Sequence, residues 1–176
     1  MRYVFLAFIL LTFVAAGTYI YLGGLREPAV VLETTAAPLL LAGQPYHGPV
    51  SAEGFGQLFR QAKAAQEGGP LAGGALTNLY YNDPEKAQDS IRAFIGLAVA
   101  GADSSRPLPP GFRYRLVPAG QRVVAARLRG VSYLLAPNKL YPAAFEFVKA
   151  RKLTRRPFYV EQFGADEQAQ VWVGVK

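Results

Sequence analysis

Residues 156–164, RPFYVEQFG, place one carboxylate, Glu161, within a run of aromatic and β-branched side chains that favours a strand. Side chains alternate along a strand, so three of these residues share one face: Tyr159, Glu161 and Phe163. A carboxylate between aromatic rings is poorly hydrated, which raises its pKa and strengthens its attraction to a cation. The stretch therefore predicts a pocket for a cationic or polar ligand. The alternative interpretation is a solvent-facing glutamate on an edge strand.

The neighbouring strands supply further candidate pocket residues. Residues 75–82, ALTNLYYN, form a strand closed by Asp83-Pro84, and only one of Tyr80 and Tyr81 can face a pocket, because they are adjacent. Residues 168–175 alternate valines with Trp172 and Gly174 in a final strand. Trp172 either forms a pocket wall that offers a cation–π face or fills the core.

Two helices are predicted from apolar residues at helical spacing. The first follows Ser51, a candidate N-cap, and ends at Gly68-Gly69-Pro70. The second covers residues 139–152 with Asn138 as its N-cap. Its core stripe comprises Leu140, Ala144, Phe147 and Val148, with Phe145 at its margin.

The remaining segments read as strands and a linker. Residues 29–33 and 39–42 indicate one bent strand interrupted by Pro38, and residues 112–128 indicate another broken at Pro118-Ala119-Gly120. Residues 90–99 are apolar enough for a buried strand. The polar, proline-rich residues 101–111 are predicted to link two halves.

The order of elements repeats with an offset of 82 positions, the difference between Gly48 and Gly130 (130 − 48). The same offset, applied without gaps, pairs Leu58 with Leu140, Ala62 with Ala144, Leu76 with Phe158, and Tyr81 with Phe163. This regularity indicates duplication, with repeats at about 28–100 and 112–176. Position 161 then corresponds to Leu79, so the acid occurs in one half only.

Together these patterns predict an α+β fold in which duplicated β-α-β-β units form one mainly antiparallel sheet. Both helices bury their stripes on one face of that sheet. The opposite face, curved and open, is expected to receive a ligand.

Composition limits the function. The chain has 176 residues, 51% hydrophobic and 18% charged, which is enough for one core. No Cys is present and the carboxylates are not clustered, so we expect neither a metal site nor a cofactor. The formal charge is +7, but the basic residues are scattered apart from residues 149–156, a pattern typical of a helix C-terminus. We therefore expect no nucleic-acid partner.

Residues 3–22 form an uncharged, mostly apolar run of the length that a membrane-spanning helix needs. A cleavable signal peptide is the alternative, but the run is longer than a typical signal sequence. Residues 1–27 are thus predicted to be a transmembrane anchor with a short flexible joint at Gly23-Gly24. Arg2 slightly favours a cytoplasmic N-terminus and an extracytoplasmic domain.

Residues 28–176 resemble the GyrI-like small-molecule-binding domain, the effector module of multidrug-sensing transcription activators. The resemblance is carried by the order and spacing of several motifs: a strand ending at Gly48, LYYNDP at 79–84, the break at 118–120, RLRG at 127–130, and PFYVEQF at 157–163. It implies a cleft between the halves, a pocket acid at Glu161, and a pocket tyrosine at Tyr80 or Tyr81.

Some members of this family are hydrolases that use the pocket acid with a tyrosine. Where many members have Glu-x-Tyr, this chain has Glu161-Gln162-Phe163, which removes a proton donor.

Three hypotheses follow. The first is a membrane-anchored module that binds a cationic or amphipathic small molecule. The second is a hydrolase of small electrophiles that uses Glu161 with Tyr80 or Tyr81. The third is a membrane receptor or scaffold with a protein or lipid partner.

Overall fold

A computed structural model describes residues 2–101, 107–133, 135–164 and 168–176. Within these residues, eight strands form one antiparallel sheet and two of three helices pack on it. The strands are β1 (Ala29–Thr34), β2 (Leu39–Gly48), β3 (Ala75–Tyr80), β4 (Ile91–Val99), β5 (Arg113–Val117), β6 (Arg122–Arg129), β7 (Arg155–Phe163) and β8 (Gln168–Val175). The helices are α1 (Arg2–Tyr21), α2 (Glu53–Gly68) and α3 (Ala136–Ala150). The predicted α+β fold is confirmed. Residues 102–106 of the predicted linker lie outside the described residues.

The sheet order is β1-β6-β8-β7-β3-β4-β2-β5, so three strands of each half lie together on either side of the β7–β3 junction and the remaining strand of each half lies at the far edge. The two predicted bent strands are wrong, because each is two strands that lie in different halves. β1 pairs with β6 and β5 pairs with β2, so the halves exchange their outer strands. The two crossing connections meet at Thr35, whose carbonyl accepts the Gly120 amide at 2.8 Å and whose hydroxyl accepts the Gln121 amide.

The offset of 82 positions holds through the first half of each repeat and then shifts. It carries β2 onto β6 and residues 53–68 of α2 onto 135–150, which nearly coincides with α3. The register of β7 against β8 shifts between Arg155 and Tyr159, where four residue steps of β7 face two of β8. The helix-facing residues are Leu76, Asn78 and Tyr80 in β3 and Tyr159, Glu161 and Phe163 in β7, so an offset of 83 aligns Glu161 with Asn78. The predicted equivalence with Leu79 is wrong, because Leu79 lies on the opposite face of the sheet.

Both predicted N-caps are wrong. Ala52 occupies the N-cap position of α2 because Ser51 lies in a turn in which Pro49 accepts the Ala52 amide. Leu135 precedes α3, and Asn138 lies inside its first turn. Pro137 presets helical backbone angles there, so the helix begins earlier than its apolar stripe indicates.

Helix α1 extends from the sheet and is long and apolar enough to cross a membrane. Its 20 residues correspond to about 30 Å, the thickness of a bilayer hydrocarbon core. The glycines after it are not a flexible joint, because Gly23 and Gly24 are buried. Lys139 Nζ donates to the Gly24 carbonyl at 2.6 Å, and the Ser132 amide donates to the Leu22 carbonyl at 3.1 Å. The sequence prediction missed these contacts because they come from residues more than a hundred positions away.

Candidate functional site

Glu161 lies near the middle of the sheet, on the face that carries α2 and α3. Its strand, β7, is paired on both sides by β3 and β8, so the edge-strand interpretation is wrong. The expectation that the ligand face is the open, helix-free face also fails for Glu161. The side chain is 7% exposed, and this remaining exposure faces a cleft between the two helices.

Two side chains of β3 hold the carboxylate. Asn78 Nδ2 donates to Glu161 Oε2 at 3.2 Å, and the Tyr80 hydroxyl donates to the same oxygen at 2.9 Å. Burial raises the pKa of Glu161, and contacts with Asn78, Tyr141 and Tyr80 partly offset that effect. The charged form of Glu161 therefore has few hydrogen-bond partners in the protein, and a ligand can supply a further one.

Two tyrosine hydroxyls lie next to the acid, although residue 163 is a phenylalanine. The pKa values of Tyr80 and Tyr141 are well above the ordinary tyrosine value, first because both are buried and then because Glu161 is near. The Tyr141 hydroxyl is buried and has no hydrogen-bond partner among the described residues. Both phenols therefore stay protonated and can donate toward Glu161 or a bound ligand.

Tyr141 was not among the predicted site or core residues. Of the predicted stripe of α3, Leu140, Ala144 and Val148 are buried as expected and Phe147 is half-buried, and α3 also buries Tyr141. Two signals in the sequence could have identified Tyr141. It lies three and seven positions before Ala144 and Val148, on one helix face. It also corresponds to Phe59 of α2 through the offset of 82.

The cleft above Glu161 has a volume of about 600 Å³, within the range of small-molecule sites. Its walls come from equivalent positions of the two helices: Phe55, Gly56 and Phe59 of α2, and Pro137, Asn138 and Tyr141 of α3. Its floor comprises Asn78, Tyr80, Glu161 and Phe163. Glu85, in the loop after β3, and the exposed Tyr133 lie at its rim. The lining thus includes six aromatic residues, one buried carboxylate, and the charged Arg60 and Glu85.

Of the six residues predicted to bind ligand, three line this cleft: Glu161, Tyr80 and Phe163. Tyr159 shares their face but packs beneath α3 in the core, 6.5 Å from Phe145 between ring centroids. Tyr81 and Trp172 lie on the opposite face of the sheet, in a cluster with Val160 and Phe94. Strand alternation separates them from Glu161, and cross-strand register decides between Tyr80 and Tyr81.

A second cavity of about 410 Å³ adjoins the cleft. Phe59, Tyr133 and Phe163 line both spaces. The second cavity also contacts Leu22, the residue that follows α1.

Searches against protein-family models and against curated proteins give no match. Among solved structures, the chain is similar to the C-terminal domain of EcmrR, with 14% identity and a TM-score of 0.56 over 86% of this chain and 99% of that one. It is also similar to the integron cassette protein VCH_CASS2 of Vibrio cholerae, with 9% identity and a TM-score of 0.59 over 86% and 97%. SAV2435 bound to tetraphenylphosphonium matches with 12% identity and a TM-score of 0.50 over 86% and 94%.

These likenesses define the class of fold. The chain has a GyrI-like fold, as its motifs predicted.

Proposed function

We propose that this protein is a membrane-anchored module that binds a cationic or amphipathic small molecule in the cleft between α2 and α3. The observation that carries the proposal is the Glu161 carboxylate, buried at the floor of a 600 Å³ aromatic cleft. An ionised carboxylate in such a place is stabilised when a cation enters and pairs with it. The aromatic walls supply apolar area and cation–π contacts for the same ligand.

One structural neighbour supports the class of ligand. SAV2435, which shares the fold, is bound to tetraphenylphosphonium, a lipophilic cation. Such a cation combines a delocalised positive charge with aromatic bulk, which matches the acid and the rings of the present cleft. Tetraphenylphosphonium is therefore the first probe to use.

The test is calorimetric titration of the full chain in detergent with tetraphenylphosphonium, for wild type and Glu161→Gln. We expect Glu161→Gln to weaken binding by about 1.5–3 kcal/mol, the contribution of a hydrogen bond or pair with a charged group. Glu146→Gln is the matched control, because Glu146 is exposed on α3 and does not line the cleft. Equal affinities for wild type and Glu161→Gln would refute the proposal.

We further propose that residues 1–27 anchor the ligand-binding domain, residues 28–176, in a bilayer, with the domain on the extracytoplasmic side. The support is the length and apolar surface of α1, whose side chains are almost all exposed. The full chain should stay with membranes after an alkaline carbonate wash, and a chain lacking residues 2–21 should be released. Release of the full chain would contradict anchoring, and protease accessibility in sealed vesicles tests the side.

A hydrolase is the second candidate, favoured by the two phenols beside the acid. With Phe163 in place of a tyrosine, Tyr80 and Tyr141 would supply the proton donor, and Glu161 would act as acid or base. Tyr81, the other tyrosine predicted for this role, cannot be the donor because it lies on the opposite face of the sheet. Turnover of a small electrophile that is lost in Tyr80→Phe and kept in Tyr81→Phe would support this candidate.

A further inference from the structure

The smaller cavity, which we call the proximal cavity, lies between the ligand cleft and the end of α1. Its walls are formed by Leu22, Val131 and Tyr133 on the side of α1, and by Lys63, Leu76 and Phe163 on the side of the sheet and α2. Apolar side chains contribute most of this lining. Phe59, Tyr133 and Phe163 line both the proximal cavity and the cleft, so the two spaces share these aromatic walls.

The position of the proximal cavity relative to α1 is fixed by short contacts. Leu22 directly follows α1, and its carbonyl accepts the Ser132 amide at 3.1 Å. Gly23 has a φ of +81°, and a Cβ there would come within 2.4 Å of the Gly130 carbonyl oxygen. The segment after α1 is thus held against the domain by these contacts. If α1 spans a bilayer, the proximal cavity therefore lies at the lipid–water boundary.

We propose that the proximal cavity takes the alkyl chain of an amphipathic cation whose charged head binds at Glu161, and that the ligand enters from the membrane side. This inference rests on the proposed function and on the membrane position of α1. Glu161 sets the orientation, because it lines the cleft and does not line the proximal cavity. Lys63, on the proximal cavity, is paired with Glu67 at 3.6 Å, so the buried carboxylate of the cleft is the group that attracts a cationic head.

The test uses the full chain in lipid nanodiscs and two probes, methyltriphenylphosphonium and dodecyltriphenylphosphonium. They share the cationic head and differ in the alkyl chain. Leu22→Trp fills the proximal cavity, and Leu25→Trp is its matched control, because Leu25 is 70% exposed and does not line it. Affinity ratios between variants are compared for each probe separately, so partition of the probe into lipid cancels.

We expect Leu22→Trp to weaken binding of the dodecyl probe at least tenfold and of the methyl probe less than twofold, since each buried methylene contributes about fourfold in affinity. Glu161→Gln should weaken both probes alike. Equal effects of Leu22→Trp on the two probes, or no effect on either, would overturn this inference while leaving the proposed function intact. Failure of both probes to bind wild type would overturn the proposed function itself. A Leu22→Trp protein that unfolds is replaced by Val131→Phe, which fills the same cavity from a neighbouring wall position.

Discussion

Asn78 and Glu161 face each other directly across the β3–β7 pair, and Asn78 Nδ2 donates a 3.2 Å hydrogen bond to Glu161 Oε2. They lie at the middle of the β3–β7 pairing, one from each half of the chain. One half supplies an amide and the other an acid. Glu161 therefore places a buried carboxylate at the floor of the cleft, and Asn78 gives it a neutral partner.

The first prediction concerns stability and pH. Because the pKa of Glu161 is raised in the folded chain, the folded state holds this proton more tightly than the unfolded state. The stability that this proton contributes is present at low pH and is lost as the pH rises through the raised pKa. Glu161→Gln removes this loss. The unfolding free energy of the ligand-free variant should therefore exceed that of wild type by about 1–3 kcal/mol at pH 8 and by less at pH 4. Urea unfolding at both pH values measures this difference, and Glu146→Gln should show no such trend.

The second prediction concerns the partner of the acid. Asn78→Asp sets two carboxylates against each other and removes the amide donor, so we expect a loss of about 1.5–3 kcal/mol in unfolding free energy at pH 8. The loss should shrink at pH 5, where the pair can share a proton. Asn138→Asp, at an exposed position of the cleft wall, should change the unfolding free energy by less than about 0.5 kcal/mol. Comparable losses in both variants would show that the pairing with Glu161 is not the cause.

The third prediction concerns the attachment of α1. Gly23 and Gly73 both have positive φ, +81° and +85°, but a Cβ at Gly73 meets nothing within 4 Å. Gly73→Ala should lower the unfolding free energy by about 1–2 kcal/mol, because alanine is strained in the left-handed backbone conformation. Gly23→Ala should cost at least about 1 kcal/mol more, because its methyl meets the Gly130 carbonyl. Chemical unfolding of the full chain in detergent compares the two, and equal costs would mean that the attachment is loose.

The fourth prediction separates the two faces of the sheet. Trp172 and Tyr81 lie behind the sheet from Glu161. Trp172→Phe should therefore leave the tetraphenylphosphonium affinity within about twofold, whereas Phe163→Ala should cost about 0.5–1.5 kcal/mol in lost aromatic contact. Calorimetric titration measures both. A large loss in Trp172→Phe would place the ligand on the helix-free face.

Local patterns were sufficient to predict much of this architecture. Alternation in residues 156–164 placed Glu161, Tyr159 and Phe163 on one face, and the motifs from Gly48 to Phe163 predicted the GyrI-like fold. The exchange of β1 and β5 between halves was not predictable, because it depends on pairing between residues 70 to 98 positions apart (113 − 43 and 127 − 29). The bulge in β7 likewise has no local signature in the sequence. Without it, the offset of 82 aligned Glu161 with Leu79 of the first repeat instead of Asn78.

The membership of the site was harder to predict than the strand that carries its acid. Alternation allowed either Tyr80 or Tyr81, and only the pairing of Tyr80 with Tyr159 across β3 and β7 decides between them. Tyr141 reaches the acid from α3, an element that the sequence connects to the site only through the repeat. Trp172 was included for its chemistry, and its strand register places it on the other face.

The charge preference of the cleft is the direct test of the role of Glu161. Methyltriphenylphosphonium and triphenylphosphine oxide, a neutral compound of similar shape, are titrated into wild type and Glu161→Gln at pH 8. We expect wild type to bind the cation more tightly than the neutral compound by about 1.5–3 kcal/mol and Glu161→Gln to lose this preference. The same preference in both proteins, or none in wild type, would contradict the claim that Glu161 is the cation-binding group.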